Sequence, residues 1–453
     1  MTDTAAPPTP APPVPPANEP GLLRIAYDYL AAGGLVTRVL LLAALTLVLE
    51  IPLGMVDGVV ADRQRYENEA TVNISEAWGR SQTLVGPMIV LPYKPASASW
   101  VRALTLLPER LVIDGKIVPQ ERRRGLFSVT VYTASLDVVA EFSTKAVRDL
   151  LAEGDWVDWP AARLTLGVSE AKSIDATSVD LDGNKVDWAP EIPTPLSSLQ
   201  APLAAAELAG RNTLSVRFRI SFAGSGRLSI VPLGQRSEVS LASPWPSPSF
   251  VGRYLPTAQS IDKEGFSAKW AVSSLGRGYG QLWDGVSKTD PQPQVVLNSA
   301  LGVVLFNPVN AYRETNRAIK YGVLFIALTF AACLLFEQAT GTRPHVAQYG
   351  LIGLSLCVFY LLLLSFSEQI GFATAYLVSA AAVAGQAALY TGAVQRRLVP
   401  GLAFGAFLAM LYGALYALLQ LEDVALLGGS LLLFAMLSLA MWFTRNLHRP
   451  QAA

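Results

Sequence analysis

The sequence predicts an α+β membrane protein: six transmembrane α-helices carrying one large, mainly antiparallel β domain outside the bilayer. Three observations predict it. Charged residues make up 15% of the 453, against roughly 25% in ordinary globular chains. The last third falls into long runs without Asp, Glu, Lys or Arg. The middle of the chain alternates apolar and polar residues with the period of strands. Zero formal net charge argues against a nucleic-acid binder, and two cysteines cannot build a disulfide scaffold or a Cys-rich zinc site.

Residues 1–32 form a proline-rich tail, with eight prolines in the first twenty residues. Such a tract favours extended polyproline or an unstructured tail over a packed element. Residues 33–56 form the first span, around the apolar run 39–49 and with Glu50 inside it. The long head before this run, and the run's own length, argue for an uncleaved anchor rather than a signal peptide. Residues 57–319 form the β-rich domain; positions 57–320 carry 28 Lys or Arg and 27 Asp or Glu. In 214–222, Leu214, Val216, Phe218, Ile220 and Phe222 share one face, and Ser215, Arg217, Arg219 and Ser221 the other. That pattern is a half-buried antiparallel strand. Further strands are expected at 83–90, 104–113, 126–132, 163–168 and 238–242, and a short helix at 144–153 with Ser143 as its N-cap. The pattern suits a β-sandwich or a curved open sheet. Residues 320–444 form a five-helix bundle from the runs 321–336, 348–367, 369–395, 398–421 and 424–444, and 445–453 form a second tail. About 20 apolar residues cross the bilayer. The first of these runs reaches that length with its flanks Lys320 and Glu337, which can snorkel outward.

Lys and Arg in the short flanks set orientation. Arg24, Arg38, Arg343, Arg396, Arg397, Arg445 and Arg449 fall on one side, while the opposite turns hold Glu368, Glu422 and Asp423. Both termini are therefore expected in the cytoplasm, with the β domain outside.

Chemistry is sparse. The two histidines, His345 and His448, lie outside the β domain, which excludes a His-based triad or zinc site there. Ser169 and Lys172 match S-x-x-K, without the companion motifs of penicillin-recognising enzymes. The glycines at 276, 278 and 280 lack the strand-then-helix setting of a phosphate loop. Asp155 and Asp158, among Trp156 and Trp159, offer a carboxylate pair for a sugar or headgroup, or a solvated loop. Arg122, Arg123 and Arg124 form a basic run suited to lipid phosphate or to an ion-paired strand edge. Gly401, Gly405, Ala409, Gly413 and Ala417 form a small-residue stripe for close helix packing. No catalytic, cofactor-binding or metal site is expected. The candidate functional cluster is Glu50, Arg317, Lys320, Glu368, Glu422 and Asp423, brought together by short turns at the outer face.

Several stretches resemble the CreD family of inner membrane proteins. They are 78–87 with 91–93, 107–111, 122–127, 316–322, 360–372 and 419–423. The last two set polar residues at fixed points in apolar runs, and Gln369 stands where the family often has His. The resemblance spans about residues 22–447. It implies a bacterial, multi-pass inner membrane protein with a periplasmic domain, supporting envelope integrity and the envelope stress response. It also implies a functional link to a two-component regulatory system. The expected role is non-enzymatic, with the lipid bilayer and an envelope protein or lipid ligand as partners. The alternatives are a transporter or lipid-translocating protein, and a periplasmic carboxylate-dependent hydrolase.

Overall fold

A computed structural model describes residues 35–420 except 152, 171–173, 177, 204–211, 286, 288–289, 306–310 and 341–344, together with 427–431, 434, 438 and 441. The chain divides into two compact units, Met1–Arg63 with Ala311–Ala453, and Gln64–Asn310.

The first helix, α1 (Leu35–Trp78), contributes residues to both units. It runs 22 residues beyond the span expected at 33–56. Hydropathy ends near Val56, but helix-forming Ala, Arg, Gln and Glu continue. The buried positions continue too: Leu49, Leu53, Val56 and Val60 recur every three or four residues, and Ala70 follows.

Among the described residues, the β unit is a sandwich of a ten-stranded and a nine-stranded sheet. Its core mixes residues from both sheets, among them Leu84, Ile89, Leu164 and Ile230 from one and Ile113, Leu136, Phe218 and Ile220 from the other. Pairing is mainly antiparallel; Gln82–Lys94 with Arg227–Val231, and Arg236–Ser243 with Arg110–Arg124, run parallel. The strand expected at 214–222 is Thr213–Ser225, and its apolar face is the buried one. The run expected at 104–113 is two strands, Arg102–Leu106 and Arg110–Arg124, on different sheets. Pro108 between them has no N–H to give a ladder. The helix expected at 144–153 is shorter: α2 (Lys145–Leu150) is N-capped by Thr144, whose side chain makes no cap bond. A second short helix, α3 (Pro293–Leu297), places Val296 in a smaller apolar cluster with Val85, Met88, Leu233, Tyr279 and Trp283.

The membrane unit continues with α4 (Ala311–Lys320), α5 (Gly322–Thr340), α6 (Val346–Ile370), α7 (Phe372–Gln395) and α8 (Leu398–Gln420). Among the described residues, four helices are long and apolar enough to cross a membrane. α4 and α5, bent by 48° at their junction, make a fifth crossing if they count as one span. The sixth expected span, 424–444, lies largely outside the described residues, as does the tail 1–32. Glycines let α1 sit close: a Cβ on Gly353 would lie 2.2 Å from Leu49, and one on Gly322 2.8 Å from Leu53. The small-residue stripe of α8 faces its own bundle at one end. A Cβ on Gly401 would meet the Ala388 carbonyl at 2.4 Å, and one on Gly405 the Ala388 side chain at 2.6 Å. At Gly413 nothing lies within 4 Å.

Candidate functional site: two clamps on one helix

Among the described residues of the membrane unit, two carboxylates are nearly buried, and both are held the same way. Glu337, near the C-terminus of α5, pairs with Arg38 of α1 and accepts a 2.7 Å hydrogen bond from the Tyr349 hydroxyl of α6. Its side chain is 6% exposed and that of Arg38 21%. The α6 N-terminus that presents Tyr349 is fixed by a capping box. The His345 ring nitrogen accepts from Ala347 N–H at 3.2 Å, and the Gln348 side chain accepts from His345 N–H at 3.0 Å. Glu337 and Tyr349 also border a cavity of about 40 Å³ with Cys333, Tyr390 and Thr391.

The second carboxylate, Glu368, lies in the last turn of α6, with its side chain 9% exposed. It accepts a 3.0 Å hydrogen bond from the Tyr312 hydroxyl of α4, and its Oε1 lies 3.5 Å from Arg63 Nε of α1. Each site is thus an arginine of α1, a glutamate and a tyrosine hydroxyl. A bare carboxylate in this setting would be costly, and the cation and the hydroxyl each offset part of that cost. Arg38 and Arg63 stand 25 residues apart on one helix, about 38 Å at its rise per residue. That length exceeds the ~30 Å thickness of a bilayer's hydrocarbon core.

The sequence-predicted cluster resolves unevenly. Glu368 is partnered by Tyr312 and Arg63. Arg317 is half-buried on α4, five residues after Tyr312, and Lys320 is exposed. Glu50 is exposed and lies 13 residues before Arg63 on a continuous helix. It therefore stands about 20 Å along the axis from the Glu368 level. Glu422 and Asp423 lie outside the described residues. Sequence reasoning missed Arg63, Tyr312, Tyr349 and the Arg38–Glu337 partnership. The available signal was spacing, since Arg38 and Arg63 bracket one apolar helix by a bilayer's length.

In the β unit, most of the candidate chemical residues take part in contacts within the fold. Asp155 accepts from the Tyr93 hydroxyl at 2.9 Å and from Ala96 N–H at 2.8 Å. Desolvation, and then this bond, raise the Tyr93 pKa. Asp158 caps a single helical turn by accepting from Ala161 N–H. Trp156 is half exposed, whereas Trp159 packs on the core. The Ser169 hydroxyl accepts from Thr83 N–H at 2.7 Å, and Lys172 lies outside the described residues. In the glycine cluster, Arg277 is 1% exposed. It donates to the Pro232 and Leu233 carbonyls and to the Gln281 side chain, and lies over the Tyr279 ring. Burial lowers the Arg277 pKa. This arginine ties its own loop to the loop at 232–233, and no sequence pattern announced it. Arg122 stacks over Trp78 at 4.4 Å, and Arg123 lies 4.0 Å from Glu121.

Comparison with known proteins places the chain. The family described as inner membrane protein CreD matches residues 34–449. The inner membrane protein CreD of Escherichia coli (strain K12) is 30% identical over 418 residues, covering 88% of this chain and 90% of that one. Among solved structures, native yeast LTA4 hydrolase aligns with 12% identity and a TM-score of 0.22, over 50% of this chain and 35% of the hydrolase. This chain thus spans about a third of that enzyme, and the score is too low to carry an argument about fold. The near full-length family match carries the assignment: the chain belongs to the CreD family of inner membrane proteins.

Proposed function

We propose that this chain is a multi-pass inner membrane protein, with both termini cytoplasmic and residues of about 57–319 periplasmic, that supports envelope integrity without catalysing a reaction. The observation that carries the reading is the clamped first helix. α1 contributes to both units, and Arg38 and Arg63 fix it at two levels about 38 Å apart. A helix held at both membrane surfaces passes a displacement of its outer end to the bundle instead of tilting in place. The β unit and the bundle then respond to envelope stress together, and the link to a two-component regulatory system belongs to the same proposal. The arginines at 38, 343, 396 and 397 support the orientation. Fusing a periplasm-active reporter after Ala300 should give activity, and after Arg397 none; the reverse would overturn the topology.

A second reading, in which the protein binds a lipid ligand, is favoured by an apolar groove of about 410 Å³ between α7 and α8. Its lining includes Tyr376, Tyr412, Tyr416, Ala380 and Gly413. On that reading, purified protein retains lipid detectable by mass spectrometry, and Gly413→Leu reduces it. Equal retention by the variant would remove the groove as the site.

A further inference from the structure

We infer that the tip of the longest hairpin of the β unit, carrying Arg123, Arg124 and Leu126, docks on an anionic phospholipid surface. The hairpin joins Arg110–Arg124 to Phe127–Ser143. On one side its neighbour strand ends at Lys116, and on the other at Val131. Beyond these points, residues 120–130 continue as a two-stranded ribbon that, among the described residues, pairs only with itself.

The tip has the composition of a membrane-docking element. Arg122, Arg123 and Arg124 are exposed, and Leu126 in the turn is 55% exposed. Their acidic neighbour among the described residues is Glu121, 4.0 Å from Arg123, with both side chains more than half exposed. A pair that open to solvent neutralises little. Arg122 is engaged by the Trp78 ring and the Gln120 side chain, and Arg123 and Arg124 are exposed on the two faces of the ribbon. Arginine forks match phosphate oxygens, and basic residues near an anionic bilayer add to binding one by one.

The ribbon is rooted where the chain enters and leaves the β unit. Trp78, the last residue of α1, donates its indole N–H to the Tyr132 carbonyl at 3.3 Å. Gly79 lies so close to the Ala223 carbonyl that a Cβ would stand 2.5 Å from it. Leu305 N–H, at the exit, donates to the Gly226 carbonyl at 2.9 Å. From Tyr132 to Leu126 the ribbon extends about 20 Å. The α1 segment of this unit, residues 64–78, is about 21 Å long. The ribbon and this helical segment are therefore both rooted at one end of the sandwich. A charged tip that merely blunts a strand edge against aggregation would need neither the exposed leucine nor this length.

The test uses the full chain in nanodiscs, with Cys333→Ala and Cys357→Ala to remove the two native thiols. An environment-sensitive fluorophore is attached at Leu126→Cys or, as a control, at Leu275→Cys. Leu275 is 96% exposed, at the end of the sandwich near Gln235 and Arg110. Both faces of a nanodisc carry the same lipid, so the result does not depend on which side is periplasmic. With phosphatidylglycerol present, lipid-borne quenchers should quench position 126 severalfold more than 275. High salt, or discs of phosphatidylcholine alone, should abolish the difference. Arg123→Gln and Arg124→Gln should each weaken docking about fivefold, and the lysine variants should retain it. A label at 126 that stays as solvent-exposed as 275 in anionic discs overturns the inference. So does quenching that is equal in both lipids and indifferent to salt.

Discussion

Replacing Glu337 by alanine should destabilise the membrane unit more than any other single change at the two clamps. The carboxylate is 6% exposed and its arginine only 21%. Removing it leaves Arg38 in a largely enclosed position and strips the 7%-exposed Tyr349 of the acceptor it meets at 2.7 Å. Breaking a buried pair from one side costs about 3–5 kcal/mol, and an orphaned buried hydroxyl about 1–3 kcal/mol. The two overlap, so the expected total is about 3–5 kcal/mol. Glu337→Gln keeps an oxygen for Tyr349 and removes only the charge, so it should cost about half as much. Glu368→Ala should be milder, about 1–3 kcal/mol. Arg63 is 42% exposed and can rehydrate, so most of that loss is the Tyr312 bond. The assay is equilibrium unfolding of purified protein in mixed micelles, with Arg38→Met, Glu337→Leu and their double variant forming a cycle. The double variant should recover at least half of the single-variant loss. A Glu337→Ala cost below that of Glu368→Ala, or additive single losses, would refute the buried-pair reasoning.

Other outcomes follow from the same geometry. Gly401→Ala should destabilise the α7–α8 packing by about 2 kcal/mol, because its methyl would meet a backbone carbonyl. Gly413→Ala should be neutral, and the two variants are compared in the same unfolding assay. Asp155→Ala should loosen the loop after Lys94 by about 1–2 kcal/mol, read by proteolysis at residues 95–101. Tyr132 is buried and donates to the Arg227 carbonyl at 2.6 Å, and burial raises its pKa. Its folded-state pKa exceeds its unfolded one, so the stability it contributes is complete below about pH 10. That contribution is lost as pH rises through the folded pKa. Tyr132→Phe should therefore flatten the alkaline fall in stability of the β unit, followed by tryptophan fluorescence.

What could be read in the sequence was whatever a local period or a local composition encodes. Alternation over 214–222 identified a strand because one of its faces is buried, as Leu214, Val216, Ile220 and Phe222 show. Runs without charge identified the helices from 321 to 421 because lipid excludes unpaired charge. The end of α1 was missed because hydropathy, not period, set its boundary; Val56, Val60 and Ala70 kept the helical spacing through charged sequence. The division of 104–113 between two sheets depends on where distant strands lie, which no local window contains. The clamps failed for the same reason. Glu337 and Glu368 could be named as helix-end carboxylates, but their partners lie 299 and 305 residues away in sequence. Nothing in a charge pattern says which arginine of α1 meets which glutamate. Arg277 is the extreme case, since a lone arginine among glycines reads as a solvated turn and is in fact enclosed by backbone carbonyls.

The central claim is that the clamp between α1 and the end of α6 is part of how the protein works. Charge exchange at Arg63 and Glu368 tests it most directly, scored as survival of a strain lacking the chromosomal copy under envelope-damaging detergent, with protein levels matched. Arg63→Glu and Glu368→Arg should each impair survival, and the double variant, which restores an opposite-charge pair in reversed order, should recover it. Full survival with both single variants, or no recovery in the double variant while it is present at normal levels, would contradict the account.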